Sequence, residues 1–397
     1  MNLRFLVAPS GFKESLSAQQ VAESMAKGIR LAIPDAEILS APMVDGGEGF
    51  TEALVDATGG RLKRLNVTGP VGESVASHYG FLGGKQDTHA VLEMAAAAGL
   101  RLVPRHCRDP RHTTSYGVGE LIRSALDAGA ERILVGCGDS GINDGGAGMA
   151  QALGVQLLDE QGKAIGFGGA QLARLKHIDI SARDPRLDQV QIDAAVNWHN
   201  VLLGPRGVAR VFGPQKGATP QMVEELDGAL NNYAEVIQRD LGVDAGNLPG
   251  SGASGGLGTG LAVLLGAWLH PRYEIVMRYI HLEDLLKQVD VVFTAEGSID
   301  GQTPWGKVPS EVARRAKQYN LPVIALAGSI GMDADINLAH GIDAYFSIAE
   351  GPCSLQDAMT QAHELVAHAA EQAARAMWSS YAIAERKLSK SSLLCAI

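Results

Sequence analysis

Short apolar runs that end in polar, glycine-bearing loops recur along this chain, and several of those loops open a segment with helical spacing. Residues 3–8 form the first run. A Pro9-Ser10-Gly11 loop follows, and Ser17-Ala18-Gln19-Gln20 is a capping-box pattern ahead of Val21, Met25 and Ile29 at helical spacing. Pro34 stops that helix. Residues 37–41 predict a second strand, and Asp45-Gly46-Gly47-Glu48-Gly49 opens a second helix. Strand, loop, helix, repeated in this order, argues for an α/β fold with a largely parallel sheet.

The pattern changes between residues 61 and 93, where residues 62–67, 77–82 and 90–93 read as short strands with glycine turns. Residues 115–128 predict a helix with Val118, Leu121, Ile122 and Ala125 on one face, ended by Gly129. Residues 133–136 and 191–196 predict strands and 220–239 a long helix. The runs at 291–294 and 323–327, each followed by a glycine loop, repeat the pattern of the N-terminus, and 355–377 predicts a final helix. At 397 residues the chain exceeds what one compact core usually serves. The expectation is two α/β domains with Rossmann- or flavodoxin-like layers: 1–72 with 287–380 as one discontinuous domain, 73–286 inserted into it, and 381–397 as a tail.

Composition narrows the function classes. The formal charge is −10 and no Lys/Arg stripe occurs, so a nucleic-acid partner is not expected. Cys107, Cys137, Cys353 and Cys395 show no CxxC spacing, which indicates neither a disulfide framework nor zinc, and suits a reduced cytoplasmic protein. The first residues lack the length and cleavage site of a signal peptide, and no apolar run approaches the roughly 20 residues that span a bilayer. The 48 glycines cluster beside apolar runs, as expected of loops that approach something closely.

Phosphoryl transfer needs cations and amides around phosphates, a carboxylate-held divalent metal and a positioned hydroxyl. The GxxxxGK[ST] loop, the protein-kinase HRD and DFG motifs and a strand-borne GxGxxG are all absent. Other loops carry the right groups. Ser10 and Lys13 stand between the first strand and helix, where Lys13 is either an anion ligand or a surface lysine. Asp45, Gly46 and Gly47 put a carboxylate among glycines at a strand end, for Mg²⁺, a substrate hydroxyl or only a helix cap. Asn143 and Asp144 repeat that chemistry after another strand. Arg206 and Lys216 sit in rigid Pro/Gly frames, as ligands or as solvated cations. Gly252, Gly255 and Gly256 precede an apolar helix carrying Leu257, Leu261, Leu264 and Trp268, to cradle phosphate or to pack closely. Glu296, Asp300 and Lys307 gather after the run at 291–294. The segment from His363 to His368 has one residue too many for HExxH, so its histidines point to different helix faces. His199 has no partner at metal-ligand spacing and reads as an ordinary hydrogen-bonded histidine.

Taken in order, APSGFKESLSA (8–18), PMVDGGEG (42–49), EMAAAAGL (93–100), TTSYGVGELI (113–122), NDGGAGMAQALG (143–154), LGPRGVARVFGPQKGA (203–218) and ASGGLG (253–258) resemble the bacterial type I glycerate kinases. The likeness extends to 296–307 and covers about residues 3 to 350. It implies an ATP- and Mg²⁺-dependent kinase giving 2-phosphoglycerate from D-glycerate, with the active site in a cleft between the two domains. On that reading Lys13, Lys216 and the 250–258 loop handle phosphates or the substrate carboxylate. Asp45, Asp144 and Asp300 serve the metal or the hydroxyl, with Asp45 and Asp144 the metal pair, and Arg206 clamps the carboxylate. The partners implied are a small hydroxy acid and ATP, with no membrane; a homodimer is left open. Three departures stand out. Ser10-Gly11 lacks an expected carboxylate, Asp139 adds one, and Asn197 replaces an Asp beside Trp198 and His199. They keep two alternatives in view: another hydroxy acid as substrate, or a sensor that binds a nucleotide or sugar acid without turnover. An NAD-dependent dehydrogenase lacks its glycine fingerprint.

Overall fold

The computed structural model describes residues 3–12 and 15–394, and side chains as far as residue 380. Lys13 and Cys395 therefore lie outside the described residues. The chain forms two compact units, one of Met1–Val44 with Met277–Ile397 and one of Asp45–Val276.

The terminal unit is built on a five-stranded, all-parallel sheet in the order Ala344–Ser347, Val323–Ile330, Val291–Ile299, Arg4–Val7, Glu37–Ser40. Its inner strands Val323–Ile330 and Val291–Ile299 begin as apolar runs, as buried parallel strands require, and turn polar toward their carboxyl ends. The helix Ala18–Ala32 starts as the sequence predicts: Ser17 Oγ accepts the Gln20 amide at 3.2 Å, and Gln20 Oε1 accepts the Ser17 amide at 2.9 Å. Val21, Met25 and Ile29 are fully buried in a core with Phe5, Phe293 and Val366. Gly28 lets this helix meet Ala362–Leu394, since a Cβ there would overlap the Ala367 carbonyl.

The central unit carries a six-stranded mixed sheet. Trp268–Pro271, Gln191–Val196, Arg132–Gly136 and His89–Glu93 run parallel, and Ser74–Phe81 and Arg61–Thr68 continue it antiparallel. The helix Tyr116–Asp127 buries Val118, Leu121, Ile122 and Ala125 completely against it. A second core lies under the long helix Pro220–Leu241.

The structure corrects several sequence expectations. Residues 45–72 belong with the central unit, because Arg61–Thr68 pairs along its whole length with Ser74–Phe81. Residues 295–299, expected to be loop, extend the strand Val291–Ile299 by pairing with 326–330. The helix expected at 355–377 is two helices, Leu355–Thr360 and Ala362–Leu394. The second runs on through the expected tail, and no Gly or Pro stops it before 394. Trp268 lies on a strand, 64% exposed, rather than on the helix with Leu264, because Gly266 turns the chain at φ +73°.

Candidate active site

Four parallel strands of the central unit end side by side at Glu93, Gly136, Val196 and Pro271. Open α/β sheets bind ligands beyond such carboxyl ends. The loop 45–49 lies there: a Cβ on Gly46 (φ +87°) would stand 3.0 Å from the Cys137 amide nitrogen, and one on Gly47 would overlap Asp139 Oδ2. Glycine suits Gly46 by its left-handed φ and its nearness to backbone, and a side chain at Gly47 would have to displace the Asp139 carboxylate.

From Gly47 to Thr51 every amide is engaged. Gly47 N–H donates to Asp45 Oδ1 (3.3 Å), Glu48 N–H to Asp139 Oδ2 (3.0 Å) and Phe50 N–H to Gly47 O (3.2 Å). Gly49 N–H donates to Glu93 Oε1 (3.1 Å) and Thr51 N–H to Glu93 Oε2 (2.9 Å). The loop thus presents the Asp45 carboxylate ahead of amides that are bonded from Gly47 onward. Asp45 is half exposed and faces Arg272 Nη1 at 3.3 Å. Glu93 is 1% exposed; burial pushes its carboxyl up to about 7, against the pull of the two amide bonds. Sequence reasoning passed over Glu93 and Arg272 as site residues. The signal for both was position alone, a charged residue at or next to the end of an apolar strand.

Beside this loop, Asp144 and Lys216 turn inward. Asp144 is fully buried, and its carboxylate accepts from Ser115 N–H and Oγ–H (2.8 Å each), Gly146 N–H (3.1 Å) and Gly148 N–H (3.2 Å). Burial raises its pKa while these donors oppose the rise. Lys216 is 2% exposed and donates from Nζ to Ser140 Oγ (2.9 Å) and Ile142 O (2.6 Å). Burial lowers its pKa to about 7, with the Asp144 charge acting the other way. In this geometry both residues anchor the loop 138–146, and neither presents its charge to solvent. Asn143, next to Asp144, is fully buried, with no partner among the described residues for either end of its carboxamide.

The glycine-rich loop completes the central group. Ser254, Gly255 and Gly256 are successive left-handed residues at φ 51°, 70° and 87°. A Cβ on Gly252 would overlap Val201 O, one on Gly255 would overlap Ile142 O, and one on Gly256 would stand 2.9 Å from Gly145 Cα. Gly252 N–H donates to Asn200 O (3.1 Å) and Gly145 N–H to Gly255 O (3.0 Å), so three loops pack backbone to backbone. Asn197 Oδ1 accepts the His199 amide at 3.2 Å and shapes a turn on which Trp198 is 38% exposed. Arg206 stands exposed farther along that segment, without an ion pair among the described residues.

A second group forms within the terminal unit. Thr303 Oγ–H donates to Glu296 Oε1 at 2.6 Å, and Lys307 Nζ lies 3.0 Å from Asp300 Oδ1 and 3.8 Å from Glu296 Oε2. Burial pushes Glu296 up to about 7, opposed by the Thr303 bond and the Lys307 charge. Asp300 is held below its ordinary value: burial works against this, and Lys307 and the Gln302 amide outweigh it. Ser10 closes this group by donating from Oγ to Ala295 O at 3.0 Å. In the near-HExxH segment His363 bonds Ser24 and His368 faces Glu350. Among the described residues no cluster of three or more His, Cys, Asp or Glu could hold a metal ion by itself.

Comparison with known proteins gives these groups a context. The model of the glycerate kinase family matches residues 5–378. Glycerate kinase of Haemophilus influenzae is 48% identical over 94% of this chain and 99% of its own length. Glycerate 2-kinase of Escherichia coli is 47% identical over 92% of this chain and 96% of its own. The crystal structure of a candidate glycerate kinase 2 from Salmonella typhimurium LT2 superposes with a TM-score of 0.83 at 48% identity, covering 96% of this chain and 99% of that one. The class is thereby defined as an α/β small-molecule kinase. The chain belongs to the glycerate kinase family.

Proposed function

We propose that this enzyme transfers the γ-phosphoryl group of ATP to the 2-hydroxyl of D-glycerate, giving 2-phosphoglycerate and ADP. The observation that supports it most is likeness along nearly the whole chain to glycerate kinases, one of them a glycerate 2-kinase. In the transfer, the hydroxyl oxygen bonds to the γ-phosphorus, the bond to the β,γ-bridging oxygen breaks, and the hydroxyl proton leaves to a base. Asp45 is the candidate base, as the half-exposed carboxylate at the strand ends. Arg272 and Arg206 are the cations suited to the substrate carboxylate, Arg272 because it already binds a carboxylate oxygen at that edge.

Mg²⁺ would arrive with the nucleotide substrate, and when bound would supply neutralisation of the phosphate charge. The protein's share then needs only one or two open carboxylates. Asp45, half exposed, would hold the metal only where another group takes the hydroxyl proton; Asp144 would not, since both its oxygens are taken and buried. Asp144 and Lys216 instead hold the loop that carries Asn143. The ion group of Glu296, Asp300 and Lys307 is the candidate for contacts to phosphate, with Lys307 its cation. We place the enzyme in the cytoplasm, where the free Cys107, Cys137 and Cys353 stay reduced. No helix of the described residues is long and apolar enough to cross a membrane. A coupled ADP-release assay over a panel of hydroxy acids tests the reading. Turnover that needs glycerate and stops in excess EDTA supports it, and turnover indifferent to EDTA removes the metal from it.

A further inference from the structure

The helix Phe50–Thr58 begins at Gly49, which has φ +82° and no side chain to cap the helix. The usual side-chain caps, serine or aspartate, would be strained at that backbone angle. The chain instead reaches across from the strand His89–Glu93 with a fully buried carboxylate, whose desolvation is costly unless it is well bonded. Each oxygen of Glu93 takes a different amide, Gly49 on one side of Phe50 and Thr51 on the other. Two bonds to one rigid group fix the loop's orientation as well as its position. On the other side of the loop Asp139, itself left-handed at φ +49°, takes the Glu48 amide. Glu48 is tied to Arg101 at 3.1 Å. Asp45 is left as the carboxylate this frame holds out at the strand ends.

We propose that Glu93 is a positioning residue for phosphoryl transfer: with Asp139 it clamps the loop 45–49 from two strand ends and so fixes Asp45 for the reaction. This rests on the reading above, that glycerate is the substrate and Asp45 its base. A clamp that acts through Asp45 affects the chemical step more than nucleotide binding. A cap that merely stabilises the helix affects neither once the protein is folded.

The test is Glu93→Gln, nearly isosteric, whose NH₂ would face one of the two amides and lose that bond. The measurements are steady-state kinetics with glycerate and ATP, and hydrogen exchange of amides 47–51. The expected result is a tenfold or greater fall in kcat, a KM for ATP within twofold, and faster exchange confined to the loop. Asp139→Gly is the second variant: its side chain is exposed, and glycine accepts the left-handed backbone, so folding is safe. It is expected to lower kcat about fivefold with the same exchange signature, and it decides the matter if Glu93→Gln does not fold. Faster loop exchange with kcat within twofold would make the clamp purely structural and overturn the proposal. So would a fall in kcat with the loop's exchange unchanged. Wild-type enzyme that phosphorylates no hydroxy acid would overturn the functional reading, and the proposal with it; an active wild type with either of the two former results overturns the clamp alone.

Discussion

Lys216 has a setting that its residue type does not foretell. In a Pro/Gly-framed loop it reads as a phosphate ligand, yet its amine is buried and bonded to Ser140 and Ile142. Lys216→Met keeps the volume and leaves the Ile142 carbonyl without its donor, for an expected cost of about 1–3 kcal/mol in unfolding free energy. The pH dependence separates this role from a solvated one. The folded amine titrates at about 7 against an ordinary 10.5, so between these values the unfolded chain binds more protons and stability rises with pH. Wild-type melting temperature should therefore climb, relative to Lys216→Met, from pH 7 towards 10. Parallel curves for the two proteins would mean that the amine is not buried in solution. Asp144 follows the same logic, and no sequence pattern separates a carboxylate that binds a ligand from one that binds its own loop.

At the scale of elements, glycine was the legible signal and its meaning was not. The glycines at 252, 255 and 256 were found in the sequence as either a phosphate cradle or a close-packing device. Their missing Cβ atoms make room for Val201 O, Ile142 O and Gly145 Cα, which gives each a packing reason of its own. Gly255→Ala should cost about 3 kcal/mol or more, through the overlap with Ile142 O and a left-handed φ. Gly228 is the contrast: it lies inside the helix Pro220–Leu241 with nothing within 4 Å of its would-be Cβ and no left-handed φ. Gly228→Ala should stabilise by about 0.5–1 kcal/mol. Denaturant unfolding of both variants checks the pair, and equal effects would contradict the packing argument. Helix faces such as Val118, Leu121, Ile122 and Ala125 were readable because apolar spacing fixes which side is buried. The continuation of Val291–Ile299 through 295–299 was not, because polar Glu296 and Ser298 are held there by pairing with a strand about 30 residues away.

For the whole molecule, the α/β class and the likeness of the two chain ends could be read because the strand, glycine loop and helix pattern repeats near residues 3–50 and 291–330. Arg4–Val7 and Val291–Ile299 are indeed neighbours in one sheet. The place where the chain leaves that unit was harder to see: the pairing of Arg61–Thr68 with Ser74–Phe81 that draws residues 45–72 into the central unit is a tertiary fact without a local mark. The central unit is one continuous stretch with two apolar clusters of its own. A fragment of residues 45–280 should accordingly unfold cooperatively in urea, and a gradual, non-cooperative loss of signal would show that it depends on the rest of the chain. The central claim, that these loops serve phosphoryl transfer to glycerate, meets its most direct measurement in product identity. Purified protein is incubated with D-glycerate, ATP and Mg²⁺, and the phosphorylated product is assigned by ³¹P and ¹H NMR. The account predicts 2-phosphoglycerate formed in step with ADP; ATP turnover without a phosphorylated glycerate, or a product phosphorylated at the 3-hydroxyl, would contradict it.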